Sequence, residues 1–439
     1  MKPFPQCRPS EAAAWSDRDD GLVAYYGLPE AVRFCSICVL PNQRPASAIE
    51  YRHDRTTRKV TTTLDKQGVC DGCRIHRLKH GKIDWGQREE ELRALCDRFR
   101  SRTGHYDCVV PGSGGKDSGY AAHLLKYKFG MHPLTVTWAP HIYTPWGWEN
   151  FQSWIHSGFD NYLFTPNGRV HRLLTRIALE TLFHPFQPFI IGQKLFAPRL
   201  AAQLGIPLVF WGEPEAEDGN PIASYGSAEQ DWSYFTSESR DSIRLSGVAL
   251  GDLKEHFQLA EKDLDPYLPM NPEILRRAGV QVHYMGYYVR WHPQANYYYA
   301  TEHTGFKAAP ERTAGTYGKY SGVDDKIDDF HFYTTFIKFG IGRATYDAAQ
   351  EARNGDLTRD EAVDLVRRYD GEFPTRFAEA CFNYMSLPKK EFPIASRMFE
   401  CPLVSREYFD MLTDHFRSPH LWKKTIEGWK LRHTVWQTL

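Results

Sequence analysis

Tyr106-Asp107-Cys108-Val109-Val110-Pro111-Gly112-Ser113-Gly114-Gly115-Lys116-Asp117-Ser118 runs from an apolar stretch through a glycine-rich turn. It leads directly into the amphipathic segment Tyr120-Ala-Ala-His-Leu-Leu-Lys-Tyr127. The pattern reads as a buried strand near 106–110, a turn, and the N-terminus of a helix over 117–128. A strand, a glycine turn and a helix N-terminus together make an anion site, because unpaired N–H groups converge there. Gly114 and Gly115 free the backbone to turn those groups inward. Ser113 and Ser118 add hydroxyl donors and Lys116 adds charge. Asp117 would repel a bare phosphate, so its presence implies a metal ion bridging it to the phosphates. The bland alternative is a surface turn with an exposed lysine. The order of strand, turn and helix argues against it.

The chain has 439 residues, enough for one large domain or two to three smaller ones. Its 54 Lys plus Arg balance 54 Asp plus Glu, which argues against a dedicated nucleic-acid binder. No apolar run approaches a membrane span, and the first residues lack an apolar signal core, so a cytoplasmic location is expected. Nine cysteines, an odd number, argue against a disulfide framework. Four of them form two Cys-x-x-Cys knuckles, Cys35/Cys38 and Cys70/Cys73, about thirty residues apart. Paired knuckles can set four thiolates around one tetrahedral Zn²⁺ and stabilise a module too small to hold its own core. The Thr-rich segment between them reads as a short hairpin.

From Tyr106 onward, strands and helices alternate. Strands are expected near 133–138, 161–164 and 206–211, with helices near 146–157, 169–182 and 194–204. This implies an α/β fold with a parallel sheet, whose ligands bind at the carboxyl ends of the strands. Four segments should then ring one crevice: the 112–118 loop, Trp138 to Tyr143, the Gly192-Gln193-Lys194 turn and Trp211-Gly212-Glu213. Glu213 follows a strand end and reads as a carboxylate that holds magnesium or positions ammonia. Glu215, Glu217 and Asp218 read as a solvated acidic loop. The aromatic and β-branched run from 282 to 291 reads as another strand. Beyond about 310 the chain turns helical, with a helix over 331–339 and a capping box at Thr358-Arg-Asp-Glu361. The expected organisation is an N-terminal extension (1–30), a four-cysteine zinc module (31–85), the nucleotide-binding α/β domain (86–310) and a helical C-terminal subdomain (311–439).

The loop is not a Walker motif, since Asp117 stands where Ser or Thr would follow the lysine. It is similar to the pyrophosphate (PP-loop) motif of the N-type ATP pyrophosphatases. With Cys35-x-x-Cys38-Val-Leu-Pro41, Gly68-Val-Cys70-x-x-Cys73, Gly315-Thr-Tyr317, Asp324-Asp-Lys-Ile-Asp328 and Lys338-Phe-Gly-Ile-Gly-Arg-Ala-Thr345, the chain resembles the N-acetyl sugar amidotransferases. Those bacterial enzymes modify sugars of lipopolysaccharide, other surface polysaccharides and flagellin. The resemblance covers about residues 34 to 390. It departs after Gly212-Glu213, where Pro-Glu-Ala-Glu-Asp-Gly-Asn220 stands instead of Asn followed by Glu-Tyr-Gly.

The resemblance implies an AMP-forming carbon–nitrogen ligase that uses ATP and Mg²⁺. Its substrate would be an N-acetylated, nucleotide-linked sugar, whose acetamido group becomes acetamidino through an adenylylated imidate. Ser113, Gly114, Gly115, Lys116, Asp117 and Ser118 would bind ATP, with Lys116, Asp117 and Glu213 catalytic. The chain shows neither an N-terminal cysteine nucleophile, since Lys2 follows Met1, nor a Gly-x-Cys-x-Gly elbow. Ammonia is therefore expected from a separate glutaminase subunit or from solution. The alternatives are a tRNA-modifying PP-loop enzyme of the thiolase type and a non-catalytic, zinc-stabilised nucleotide-binding module.

Overall fold

A computed structural model of the chain describes residues 2–6, 21–212 and 227–437. Five strands build one parallel sheet: β1 (Cys108–Pro111), β2 (Pro133–Trp138), β3 (Asn161–Phe164), β4 (Leu208–Trp211) and β5 (Gln281–Tyr284). Their order is β3-β2-β1-β4-β5, with Val109 in register with both Leu134 and Val209. Every residue of β1 and β2 is buried, as expected of strands covered on both faces. Alternate residues serve opposite cores. Val109, Leu134 and Val209 face the helices Gly168–Leu182 and Gln187–Leu204. Cys108, Val110, Leu208 and Phe210 face the helices Trp85–Phe99, Lys116–His123 and Pro145–His156.

The strand and helix expectations hold for the first three strands and the helices that follow them. The glycine turn continues into Lys116–His123 and a π-helical turn, Leu124–Lys128. Three expectations need correction. Gly192-Gln193-Lys194 is not a turn, because the helix starts earlier, at Gln187 behind Pro188. Gly192 lies inside it because a Cβ there would stand 2.1 Å from the Trp138 ring. The run from 282 to 291 is not one strand: β5 ends at Tyr284 and a helical turn, Met285–Tyr288, follows. The segment between the knuckles is irregular rather than a hairpin, with isolated bridges Pro45 to Thr61 and Leu64 to Cys70.

The C-terminal third is largely helical, with a short hairpin formed by Trp422–Thr425 and Gly428–Leu431. Two contacts fasten it to the rest. Asp325 accepts from the backbone N–H of His141 (2.7 Å) and of Ile327 (2.9 Å) and from His141 Nδ1 (2.7 Å), with the His141 and Asp325 side chains fully buried. The four knuckle cysteines share one apolar core with Ala348, Ala349, Ala362, Val363 and Val366 of the helices Arg343–Asn354 and Arg359–Tyr369. Among the described residues, no helix is long and apolar enough to cross a membrane.

Candidate active site

The loop after β1 takes its shape from two glycines. Gly114 has φ +88°, and a Cβ there would lie 2.6 Å from the Phe151 Cα, on helix backbone that cannot yield. At Gly112 a Cβ would collide with Ser118 Cβ at 2.2 Å. Gly115 caps the helix Lys116–His123 without a side-chain cap, so the first-turn N–H groups stay available to a ligand. Lys116 is buried and its Nζ lies 2.5 Å from Asp117 Oδ2. Asp117 also accepts from Asn296 Nδ2 at 3.3 Å. Gly212, at the end of β4, packs beside Asp117. Ser118 donates to the Gly115 carbonyl at 3.1 Å, and Ser113 bonds the Asp324 carboxyl, so both hydroxyls brace the loop in this state.

Ser113 to Asp117 open onto a cavity of about 540 Å³, a size typical of small-molecule sites. Its wall includes Gly147 and Asn150, Tyr317, Gly318, Tyr320 to Asp324, and part of the helix Asp328–Phe339 with Arg343, Asp347 and Glu351 beyond it. Polar contacts fix this wall. Arg343 Nε pairs with Asp347 Oδ1 at 3.1 Å and its guanidinium lies over the Phe332 ring. Thr316 Oγ1 donates to Asp347 Oδ2 at 2.7 Å, and Tyr317 and Tyr320 hydroxyls donate to Glu351. Arg312 grips Glu372 with two bonds, 2.5 and 2.6 Å, and Glu372 also accepts from Gly315 N–H.

The Lys338-to-Thr345 string explains itself in this setting. Gly340, at φ +69°, ends the helix. Gly342 starts the next helix and has no side chain to cap it; the distant Asp370 does so instead. Asp370 accepts from Gly342 N–H at 3.0 Å and Thr345 N–H at 3.1 Å. A Cβ on Gly342 would sit 2.7 Å from Asp370 Oδ1. Lys338 and Arg343 on either side both reach the cavity. Burial raises the carboxyls of Asp328 to about 8 and Asp329 to about 7.

The structure gathers some of the expected residues and separates others. Ser113 through Asp117 line the cavity, whereas none of Trp138 to Tyr143 does, because His141 is committed to Asp325. Glu213 lies outside the described residues, as do Glu215, Glu217, Asp218 and Cys7. Nothing in the sequence pattern singled out Glu50, His53, Lys59, His184 or His331, which line the end of the cavity away from the loop. The one signal was positional: His331 and Lys338, seven apart on a helix, share a face.

The knuckles converge as their spacing predicts. All four Sγ atoms lie within 4.8 Å of one another, with Cys35–Cys73 at 3.8 Å and Cys38–Cys70 at 3.7 Å. A tetrahedron with Zn–S of ~2.3 Å has edges of about 3.8 Å, so the donor set fits a zinc ion. Backbone N–H groups of Ile37, Leu40, Cys70 and Cys73 point at the sulfurs from 3.3 to 3.5 Å, which favours thiolates. Hydrogen bonds from Cys38, Cys70 and Cys73 hold the Cys35 thiol far below the usual range, while the Cys35 contact pushes Cys73 far above it. Thiols packed this closely cannot all ionise unless a cation sits among them.

Residues 314–435 match the family described as "LPS biosynthesis protein WbpG-like, C-terminal domain". That stretch supplies the cavity wall from Tyr317 to Arg353. A 102-residue stretch is 31% identical to an uncharacterised protein, MJ1599, of Methanocaldococcus jannaschii; it spans 23% of this chain and 31% of that protein. Among solved structures, NMN synthetase from Francisella tularensis aligns over 70% of this chain and 98% of its own, with 12% identity and a TM-score of 0.28.

Proposed function

We propose that the protein is an ATP-dependent amidotransferase of surface-glycan biosynthesis that converts a sugar acetamido group into an acetamidino group. The observation that carries this reading is the opening of the glycine loop, with its buried Lys116, onto a cavity walled by the WbpG-like segment. The carbonyl oxygen of the N-acetyl group attacks the α-phosphorus of ATP and pyrophosphate leaves. Ammonia then adds to the imidate carbon, a proton is lost, and the C–O bond to AMP breaks. An amide carbon is a poor electrophile until its oxygen carries a phosphoryl group, which is what the first step supplies. The helix N-terminus and Lys116 stabilise charge on the departing pyrophosphate by preorganised electrostatics.

Mg²⁺, when bound, neutralises phosphate charge, and Asp117 is the loop carboxylate that would hold it. Zn²⁺ is assigned to Cys35, Cys38, Cys70 and Cys73 as a structural ion. Glu213 keeps its proposed role near magnesium or ammonia on sequence grounds alone. Ammonia comes from a separate glutaminase or from solution. The acceptor is an N-acetylated, nucleotide-linked sugar, and the reaction is cytoplasmic. The remaining described cysteines favour this reading over a thiolase: Cys96, Cys108 and Cys381 are buried in packing and Cys401 is alone at the surface. The test is mass spectrometry of N-acetylated nucleotide sugars incubated with the protein, ATP, Mg²⁺ and ammonium. The expected product is lighter by about one mass unit, since NH replaces oxygen, and AMP forms in equal amount. AMP formation that requires tRNA instead would replace this reading with the thiolase one.

A further inference from the structure

Away from the loop, the cavity ends in six ionisable side chains drawn from three distant parts of the chain. Glu50, His53 and Lys59 come from the segment between the knuckles, His184 follows the helix Gly168–Leu182, and His331 and Lys338 share one helix. Lys59 Nζ lies 3.3 Å from His53 Nδ1, and Glu50 Oε2 lies 3.5 Å from the same atom and 3.8 Å from His184 Nε2. The His184 and His331 rings stack with centroids 4.8 Å apart, and His331 Nδ1, a buried atom, has no hydrogen-bond partner among the described residues. Lys338 is 5% exposed and gives a single hydrogen bond, to the Leu182 carbonyl at 2.7 Å. Its other two ammonium protons meet no oxygen or nitrogen acceptor among the described residues; the Tyr26 and Phe339 rings lie 5.3 and 5.0 Å away.

The charges do not balance. Two lysines face one carboxylate, and that carboxylate is already shared by two histidines. Burial, and then Lys59, pushes the Lys338 ammonium down to about 7. Burial takes His53 down to about 4. The histidines are thus neutral and offer N–H groups or lone pairs rather than charge. Phe183, Phe332 and Phe339 line the same region and lower its polarity, which strengthens any ionic contact made there. An ammonium ion would be repelled by both lysines. A neutral sugar could accept from the ammonium protons through its oxygens but would leave their positive charge uncompensated.

We propose that this end of the cavity is the acceptor subsite, and that Lys59, Lys338 and His331 there bind an oxyanion, phosphate or carboxylate, carried by the acceptor. The assignment rests on the adenylylation reading above, since it places the acceptor opposite the loop that holds ATP. It also gives the knuckle module a second role. The segment that the four cysteines pin at both ends supplies Glu50, His53 and Lys59, so the metal site shapes the substrate pocket.

The test is calorimetry on the full-length zinc-loaded protein, with two separate titrations. The first uses α,β-methylene-ATP and reports on the loop. The second uses three acceptor probes: UDP-N-acetylglucosamine, which carries phosphates; N-acetylneuraminic acid, which carries a carboxylate; and N-acetylglucosamine, which carries neither. At least one charged probe should bind the wild type more tightly than N-acetylglucosamine, and the one that binds identifies the source of the anion. Lys338→Met and Lys59→Met should each weaken that binding at least tenfold and leave the ATP analogue within twofold. Lys59 is half-buried and accepts substitution even where the buried Lys338→Met chain does not fold. Binding of neither charged probe, or equal binding by wild type and Lys59→Met, overturns the subsite. Failure of the ATP analogue to bind the wild type overturns the loop reading instead.

Discussion

The two ends of the cavity are built differently. At the loop end, the residues that face the ligand are consecutive, Ser113 to Asp117, and their shape is set by glycines that pack against a neighbouring helix. At the other end, residues separated by nearly 280 positions, from Lys59 to Lys338, meet only because three cores come together. One end is a local motif resting on the sheet. The other exists only when the knuckle module and the C-terminal helices are docked. The loop end should therefore withstand damage to the module, and the far end should not.

Removing the metal tests this difference most severely. Structural zinc supplies folding free energy outright, on the order of 10 kcal/mol in isolated zinc fingers, so Cys70→Ser should cost several kcal/mol. The purified wild type should carry one zinc per chain and the variant none. Binding of a charged acceptor probe should disappear, while α,β-methylene-ATP still binds. If both ligands are lost together, the two ends are one cooperative unit and the contrast drawn here fails. If zinc is absent from the wild type, the assignment of the four thiolates fails.

Lys116→Ala and Asp117→Asn test the opposite end. A charge-assisted donor in a water-poor crevice is worth ~3–4 kcal/mol of transition-state stabilisation. Each variant should therefore release pyrophosphate at least about a hundredfold more slowly, at saturating acceptor and ammonium. Asp117→Asn should also weaken the dependence on Mg²⁺. Acceptor-probe binding should survive in both. Wild-type rates in either variant would remove this loop from the reaction.

How much was legible follows from the same contrast. The strand–glycine–helix order of β1 and its loop is a local pattern, and the paired knuckle spacing is nearly so; both appear in the structure as read. β1 was found because two-sided burial leaves an unbroken apolar run, and β2 because β-branched Thr and Val alternate between apolar ends; β3 is an edge strand with Tyr162 and Leu163 exposed, read from its short aromatic and apolar run. The helix expected from Lys194 starts earlier, at Gln187, with Pro188 in its first turn, where proline suits a helix. The strand near 282 was drawn too long because aromatic residues pack equally well in a helical turn. His141 looked like a crevice residue until Asp325, 184 positions away, took up its Nδ1. The far-end cluster had no sequence pattern to read, since its members are set by tertiary packing alone.

The buried acids behind the cavity give a third, smaller effect. Asp328 and Asp329 move from the ordinary 3.8 to about 8 and about 7, chiefly through burial. Both bind protons more tightly folded than unfolded, so the native state holds more protons between about pH 4 and pH 8. Stability is then fully present at low pH and falls as pH rises through that window. Asp328→Asn removes one of the two ionisations. Urea unfolding should show a shallower loss between pH 6 and 8.5, with the variant at least about 1 kcal/mol more stable at the upper end. Equal slopes would mean that Asp328 is ionised in the native state and balanced by Arg343.

The smallest effect is expected where the sequence was easiest to read. Thr358 and Glu361 form a reciprocal cap: Thr358 Oγ1 accepts from Glu361 N–H at 3.3 Å, and Thr358 N–H donates to Glu361 Oε2 at 2.8 Å. The helix it starts, Arg359–Tyr369, buries Ala362, Val363 and Val366 against the knuckle core. Thr358→Ala removes the cap but none of that packing, so it should cost ~1 kcal/mol. Because the lost bonds are at the helix end, the loss should be local fraying rather than global unfolding. Amide exchange at Asp360, Glu361 and Ala362 should accelerate about fivefold, since 1 kcal/mol is about that factor. Exchange at Val366, pyrophosphate release and acceptor binding should stay at wild-type values. Acceptor binding that weakens along with the fraying would show that this helix passes strain through the cysteine core to Glu50, His53 and Lys59. The far end of the cavity would then depend on a cap formed by two residues of another segment.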